Sequence, residues 1–206
     1  MVLELTALGL LTLLFVATFS VRPPYVDFAL AGAAVTLIAA SARRSRQLWA
    51  LAPVPAAPGP RAAWQLAGGF TVLSLVVLAG TGVIVARVAG EPWQPRFLNW
   101  HFALAAPVYL LWALLQQYIF QFYLLGRLLR VVTLRLAIPL LASAFAAVHF
   151  PRWPVMLATV VAGSVWSLCY FRSRRLLPLA VSHALLGAAL HYWVLGDDLL
   201  GAWLPH

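Results

Sequence analysis

The sequence predicts an all-α protein, a polytopic membrane helix bundle of about seven transmembrane helices. Apolar residues make up 64% of the 206-residue chain and charged residues 9%, a composition typical of proteins that lie mostly in lipid. The apolar residues form repeated runs close to the ~20 residues that a bilayer-crossing helix needs. Because these runs follow one another along the chain, a single membrane domain over residues 1–206 is the simplest interpretation.

The apolar runs are separated by short polar or Pro-rich connections. The first run begins with Glu4 and has no basic segment before it, so we interpret it as a retained helix rather than a signal peptide. Four prolines and a glycine over 52–60 exclude regular helix there and predict the longest connection. The predicted helices cover approximately 3–19, 26–40, 66–88, 101–125, 136–150, 154–171 and 176–195.

The positive charge of the chain is carried by arginine alone. All 14 basic residues are Arg, and their place in short loops indicates membrane topology or lipid headgroups rather than nucleic acid. Ten fall in one set of alternate loops and four in the other. Arginine-rich loops face the cytoplasm, so we expect a cytoplasmic N-terminus and an external tail with Asp197, Asp198 and His206. The expected location is a bacterial or archaeal inner or plasma membrane.

Five polar residues interrupt the apolar runs in the second half of the chain. Polar side chains are costly in hydrocarbon and persist where they have partners or a function. Gln117 and Gln121 are four residues apart and share a face of a regular α-helix, with Gln116 beside them. His149 and His183 belong to two later runs. These residues predict one polar site, and an interhelical hydrogen-bond clamp is the structural alternative.

The sequence lacks the residues that several other catalytic or metal-binding sites would need. No Asp or Glu lies between Glu91 and Asp197, so a serine hydrolase triad with an intramembrane carboxylate is excluded from this segment. The lone Cys169 cannot form an internal disulfide or a cysteine metal site. A zinc site is an alternative without diagnostic spacing, and its ligands would be His149, His183 and His191. We therefore expect no cofactor.

Three short motifs, in order, carry a resemblance to a known family. They are Gln116-Gln117-Tyr118-Ile119-Phe120-Gln121, Phe145-Ala146-Ala147-Val148-His149 and His183-Ala184-Leu185-Leu186-Gly187. This pattern resembles the CAAX-prenyl-protease and bacteriocin-processing membrane endopeptidases, the CPBP or Abi family. In that family the first motif is two glutamates with an arginine four residues after the second, the second is F-x-x-x-H, and the third is H-x-x-x-N. The resemblance covers about 110–190 within the predicted helices of 101–195 and leaves 1–100 outside.

The resemblance implies a membrane endopeptidase with an altered site. Gln116 and Gln117 stand where the family has its two glutamates, Gln121 replaces the arginine, and Gly187 replaces the asparagine of the third motif. Phe145, His149 and His183 match. An amide cannot take a proton from water at neutral pH, so His149 becomes the candidate base. His183 or an amide hydrogen of Gln117 would then stabilise the oxyanion.

Two functions of different class remain open at this stage. The first is a membrane-embedded endopeptidase that cleaves a hydrophobic or lipid-adjacent segment of another protein. The second is a catalytically inactive, protease-like scaffold that binds a partner helix or a lipid. The retention of both motif histidines favours the first function, since a scaffold does not need them. Both functions imply membrane lipid and a hydrophobic protein segment as partners.

Overall fold

The computed structural model describes residues 24–44 and 59–201, together with Leu10 and Leu14. The regular structure of these residues is helical, without strands. Four helices in this part of the chain are long and apolar enough to cross a membrane, namely Pro60–Val88, His101–Leu128, Trp153–Ser173 and Leu177–Leu195. The predicted all-α membrane fold is therefore confirmed. The first predicted helix, 3–19, lies outside the described residues except for Leu10 and Leu14.

Eight α-helices and two π-helical segments follow one another in the described residues. Proline at the first or second position opens several of them, where its missing N–H costs nothing. In chain order they are α1 (Pro24–Arg44), α2 (Pro60–Val88), α3 (Gln94–Phe97), α4 (His101–Gln117), the first π-helix (Tyr118–Leu124), α5 (Leu125–Leu128), α6 (Leu134–Ala147), α7 (Trp153–Ser173), α8 (Leu177–Ala189) and the second π-helix (Leu190–Leu195).

The structure departs from the sequence prediction in two places. Helix α6 has 14 residues and is about 21 Å long at 1.5 Å per residue, so it is shorter than a typical bilayer core. His149 therefore lies in the turn after α6 instead of on the helix. The helix that starts at His101 becomes a π-helix at Tyr118. Because a π-helix has a wider turn, the prediction that Gln117 and Gln121 share a face does not follow from their spacing.

The first compact unit comprises Met1–Ala57 and Tyr118–Arg172. Its described part contains α1, the first π-helix, α5, α6 and most of α7. Ala34 and Ile38 of α1 pack against the buried Tyr123 of the π-helix. This contact holds the π-helix of the first unit in an apolar environment.

The second compact unit comprises Pro58–Gln117 and Ser173–His206. Helix α8 is its centre and packs against α2 and α4, and the hydroxyl oxygens of Thr71 and Ser182 are 2.7 Å apart in a hydrogen bond between α2 and α8. The short helix α3 packs on the second π-helix through Phe97, whose ring stacks on Trp193 at 5.1 Å. Both units consist of helices. The single domain over residues 1–206 stays a prediction.

Candidate active site

A buried contact between Gln117 and His183 is the first polar feature of the second unit. Gln117 is the last residue of α4, and His183 lies in the middle of α8. Gln117 Nε2 is 3.4 Å from His183 Nδ1, and the exposed fractions of the two residues are 0% and 5%. The structure thus brings together two of the residues that the sequence predicts for the site.

This contact determines how the imidazole of His183 can act. An amide nitrogen only donates, so His183 Nδ1 accepts and the ring proton is on Nε2, an assignment inferred from the hydrogen bonds. The Nε2–H group is then a donor suited to an oxygen that develops negative charge. Because 3.4 Å is long for a hydrogen bond, the contact contributes little to the stability of the fold.

Gln116 and Gln117 also carry amide oxygens that are buried. Neither Oε1 atom accepts a hydrogen bond from a described residue. A buried acceptor without a partner costs about 1–3 kcal/mol. Such groups in native proteins are often bound to water or belong to a functional site. The two oxygens therefore mark a place where a polar ligand or water would be stabilised.

Tyr109 of α4 packs beside both His183 and Gly187. Its ring is perpendicular to the imidazole, with a centroid distance of 5.7 Å and an interplanar angle of 89°. A methyl group at Gly187 would lie 2.7 Å from Cε1 of Tyr109, so the aromatic ring fills the space that a side chain at Gly187 would need. Tyr109 could not be predicted from the three motifs, because it lies before Gln116 on the same helix and outside all three of them.

In the first unit, His149 follows the end of α6 and is partly buried. Its Nδ1 lies 2.9 Å from the carbonyl oxygen of Phe145. A carbonyl only accepts, so Nδ1 carries the proton and Nε2 presents a lone pair in the neutral ring. His149 thus has the tautomer of a general base, and His183 has the opposite one.

Phe145, one turn before His149, is fully buried among aromatic residues of the first unit. Its ring stacks on Phe120 with a centroid distance of 4.4 Å and contacts the His149 imidazole at 5.6 Å. On its other side, a methyl group at Gly163 would lie 3.3 Å from Phe145 Cδ1. Phe145 therefore supports His149 by packing, in addition to the hydrogen bond from its carbonyl.

Gln121 lies in the first π-helix and is fully buried. Neither its Nε2 nor its Oε1 has a hydrogen-bond partner among the described residues. The buried guanidinium of Arg127 lies above the Tyr123 ring, 5.0 Å from its centroid. π-helical turns occur frequently at functional sites. The π-helix and Arg127 are features that the sequence analysis did not anticipate.

A second polar cluster of the second unit surrounds Asp198. His101 Nδ1 lies 2.6 Å from Asp198 Oδ2, the Tyr192 hydroxyl donates to Oδ1 at 2.8 Å, and Asn99 Nδ2 donates at 3.2 Å. Burial raises the pKa of the Asp198 carboxyl, but these hydrogen bonds, with that from the Leu200 N–H, outweigh burial and hold the pKa well below its usual range. The cluster joins the start of α4 to the segment after the second π-helix.

The histidine at position 191 has a separate partner. His191 Nδ1 lies 3.2 Å from Asp197 Oδ2. Within residues 24–44 and 59–201, no group of three or more His, Cys, Asp or Glu side chains is arranged to hold a metal ion. The zinc alternative, with His149, His183 and His191 as its ligands, stays a prediction.

Comparison with protein families bears on the segment that contains both histidines. Residues 98–189 match the family described as type II CAAX prenyl endopeptidase Rce1-like. The segment is Rce1-like. Together with the four apolar helices, the match makes the chain an integral membrane protein and indicates a CAAX-type membrane protease. Comparisons with curated proteins and with solved structures gave no match.

The Rce1-like segment contains every residue that the three motifs supply. It starts 12 residues before the predicted resemblance at 110 and ends within one residue of it, at 189. The predicted resemblance to the CPBP family is therefore confirmed. The segment also includes Tyr109 and His101, whereas His191 lies outside it.

Proposed function

We propose that the chain is a membrane-embedded endopeptidase that hydrolyses a peptide bond in a hydrophobic or lipid-adjacent segment of another protein. The observation that carries the proposal is the buried contact between Gln117 and His183, inside a segment that matches CAAX-type endopeptidases. A buried imidazole that accepts at Nδ1 carries its proton on Nε2, and an N–H group of this kind can stabilise the oxyanion of peptide hydrolysis.

The proposed reaction takes both histidines from the motifs of the family resemblance and gives them different roles. His149 Nε2 takes a proton from water, and the water oxygen attacks the carbonyl carbon of the scissile peptide bond. The carbonyl electron pair moves to the oxygen, where the Nε2–H of His183 stabilises the charge. The C–N bond then breaks as the proton passes from His149 to the leaving amine. Gln116 and Gln117 orient water and the imidazole through their amides, since neither can act as a base.

The test is cleavage of tail peptides by the purified protein in lipid nanodiscs. The peptides carry hydrophobic C-terminal segments, with and without a prenylated cysteine. We expect His149→Ala and His183→Ala to lower kcat by about 10²- to 10⁴-fold, the range for loss of general-base or oxyanion groups. His191→Ala is the matched control, since His191 lies outside the Rce1-like segment. Cleavage that is equal in all four proteins would overturn the proposal.

The second candidate function is a catalytically inactive scaffold that binds a partner helix or lipid. The observation that favours it is the absence of a carboxylate from the three glutamine positions, because an amide cannot deprotonate water. The scaffold function predicts that a hydrophobic peptide binds equally well to the wild type, His149→Ala and His183→Ala proteins, without being cleaved by any of them.

The proposed hydrolysis is independent of metal ions, because its proton transfers and charge stabilisation use side chains of this chain alone. Incubation with a strong chelator followed by removal of the chelate should leave kcat within about two-fold of the untreated rate, whereas a catalytic metal would supply several kcal/mol of transition-state stabilisation. Loss of cleavage that Zn²⁺ restores would contradict this prediction.

A further inference from the structure

The space beside Gly187 is occupied by an aromatic side chain from another helix of the same unit. Gly187 follows His183 by four residues on α8, so both are on one helix face. Three atoms of the Tyr109 ring lie 2.7–3.6 Å from where a methyl group at Gly187 would be. Since even the smallest side chain would collide with this ring, glycine at 187 and tyrosine at 109 depend on each other.

Tyr109 points into the second unit rather than towards lipid. Its neighbours Val108 and Leu111 have exposed fractions of 63% and 77%, whereas Tyr109 is partly buried and contacts the His183 ring. A phenylalanine would fill the same space without a polar group. The phenol therefore brings a hydroxyl donor to the environment of His183, and this hydroxyl forms no hydrogen bond with a described residue.

One donor beside His183 faces its ring. The amide nitrogen of Gln117 faces His183 Nδ1, so the hydrogen that it directs there is not available to a substrate. The Gln116 and Gln117 atoms without partners are oxygens, which only accept. The Tyr109 hydroxyl, on a ring that packs against His183, is a further donor that a carbonyl oxygen developing charge there could use.

We propose that Tyr109, whose ring fills the space beside Gly187 and packs on His183, is a catalytic residue and that its hydroxyl donates a hydrogen bond to the carbonyl oxygen of the scissile bond. The inference rests on the proposed peptidase function and assigns an additional residue to it. The hydroxyl keeps its proton throughout the reaction. Its hydrogen bond to the substrate oxygen strengthens when the carbonyl electron pair moves to that oxygen, and it weakens again when the C–N bond breaks.

The first experiment removes the hydroxyl and keeps the ring. We expect Tyr109→Phe to lower kcat by about 10²- to 10³-fold, as removal of one oxyanion donor does, with KM within about two-fold and an unchanged unfolding temperature. Tyr118→Phe is the control with the same atomic change, at a ring that stacks on Phe122. If the wild type cleaves and Tyr109→Phe retains its kcat, the role of Tyr109 is wrong while the peptidase function stands.

A second experiment tests the coupling between the two positions. Gly187→Ala pushes the ring away, so we expect it to lower kcat by at least 10-fold in the wild type but by less than two-fold in a Tyr109→Phe background. Equal losses in both backgrounds would show that Gly187 acts without the Tyr109 hydroxyl, which overturns the proposal. Thermal unfolding of all four proteins identifies any variant that fails to fold.

A third measurement does not depend on turnover. A peptide with a phosphinate in place of the scissile bond has a charged oxygen that mimics the tetrahedral intermediate. We expect Tyr109→Phe to weaken binding of the phosphinate peptide at least 10-fold and of the unmodified peptide less than two-fold. Equal binding of the phosphinate by both proteins overturns the Tyr109 role. A wild type that neither cleaves nor prefers the phosphinate overturns the proposed function together with it.

Discussion

The two motif histidines differ in the hydrogen-bond partner of Nδ1. A backbone carbonyl accepts from His149 Nδ1, whereas an amide nitrogen donates to His183 Nδ1. These neighbours leave a lone pair on one Nε2 and a proton on the other. A base and an oxyanion donor can therefore be obtained from two neutral imidazoles without a carboxylate.

The first prediction restores a carboxylate at Gln116, where the resemblance places the first of the family's two glutamates. Gln116→Glu replaces the side-chain amide by a carboxylate. The side-chain oxygen at this position is buried and has no hydrogen-bond partner among the described residues. A carboxylate can accept the water proton, so we expect kcat to rise by about 10²-fold. The rate of peptide cleavage measures the gain. Gln65→Glu makes the same change at an exposed position of α2 and should leave kcat unchanged. A fall or no change in Gln116→Glu would contradict the position's catalytic role.

A second prediction concerns Asp198 and the dependence of the stability of the fold on pH. Its hydrogen bonds hold the folded-state pKa below the unfolded value, so they stabilise the fold above the unfolded pKa of about 4. This stabilisation is lost as pH falls from there towards the folded pKa. We expect Asp198→Asn to lower the unfolding temperature at pH 7 and to reduce its dependence on pH below 5. Asp197→Asn is the control at the more exposed neighbour, and identical profiles for both variants would refute the prediction.

Among the helices, the sequence predicts presence and order better than ends and local geometry. Apolar runs of the required length predict α2, α4, α7 and α8, because hydrophobic length is a strong signal in lipid. The switch to a π-helix at Tyr118 could not be predicted, since it depends on tertiary packing and not on composition. The family motifs predict that Gln117 and His183 lie in one site. The position of Tyr109 could not be predicted, because only the packing of α4 on α8 brings its ring to Gly187.

The close packing of α2 on the second π-helix predicts that a larger side chain at their contact lowers the stability of the fold. A methyl group at Gly82 would lie 2.5 Å from the carbonyl oxygen of Trp193, so Gly82→Ala forces two backbones apart. Overpacking of this kind costs about 1–3 kcal/mol, and we expect a lower thermal unfolding temperature in detergent. Gly80→Ala, on the same helix, meets nothing within 4 Å and should match the wild type. A smaller loss for Gly82→Ala than for Gly80→Ala would show that the two backbones can separate without cost.

On the scale of the whole molecule, the distribution of arginine predicts how the chain crosses the membrane. The cytoplasmic side should contain the Arg-rich connection between α5 and α6, and the opposite side the connection between α2 and α3. Because each Arg is costly to transfer through lipid, we expect the ten-to-four bias among the 14 Arg residues to set one orientation. In that orientation the N-terminus would lie in the cytoplasm.

Labelling with a membrane-impermeant thiol reagent tests this orientation. In a Cys169→Ala background, Ala89→Cys and Thr133→Cys introduce single thiols at exposed positions of the two connections. We expect Ala89→Cys to react in intact cells and Thr133→Cys to react only after permeabilisation, since their connections lie on opposite sides. The reverse pattern would place the N-terminus outside. Reaction of both thiols in intact cells would mean that an even number of crossings separates the two positions, which contradicts the predicted single crossing by the helix that begins at His101.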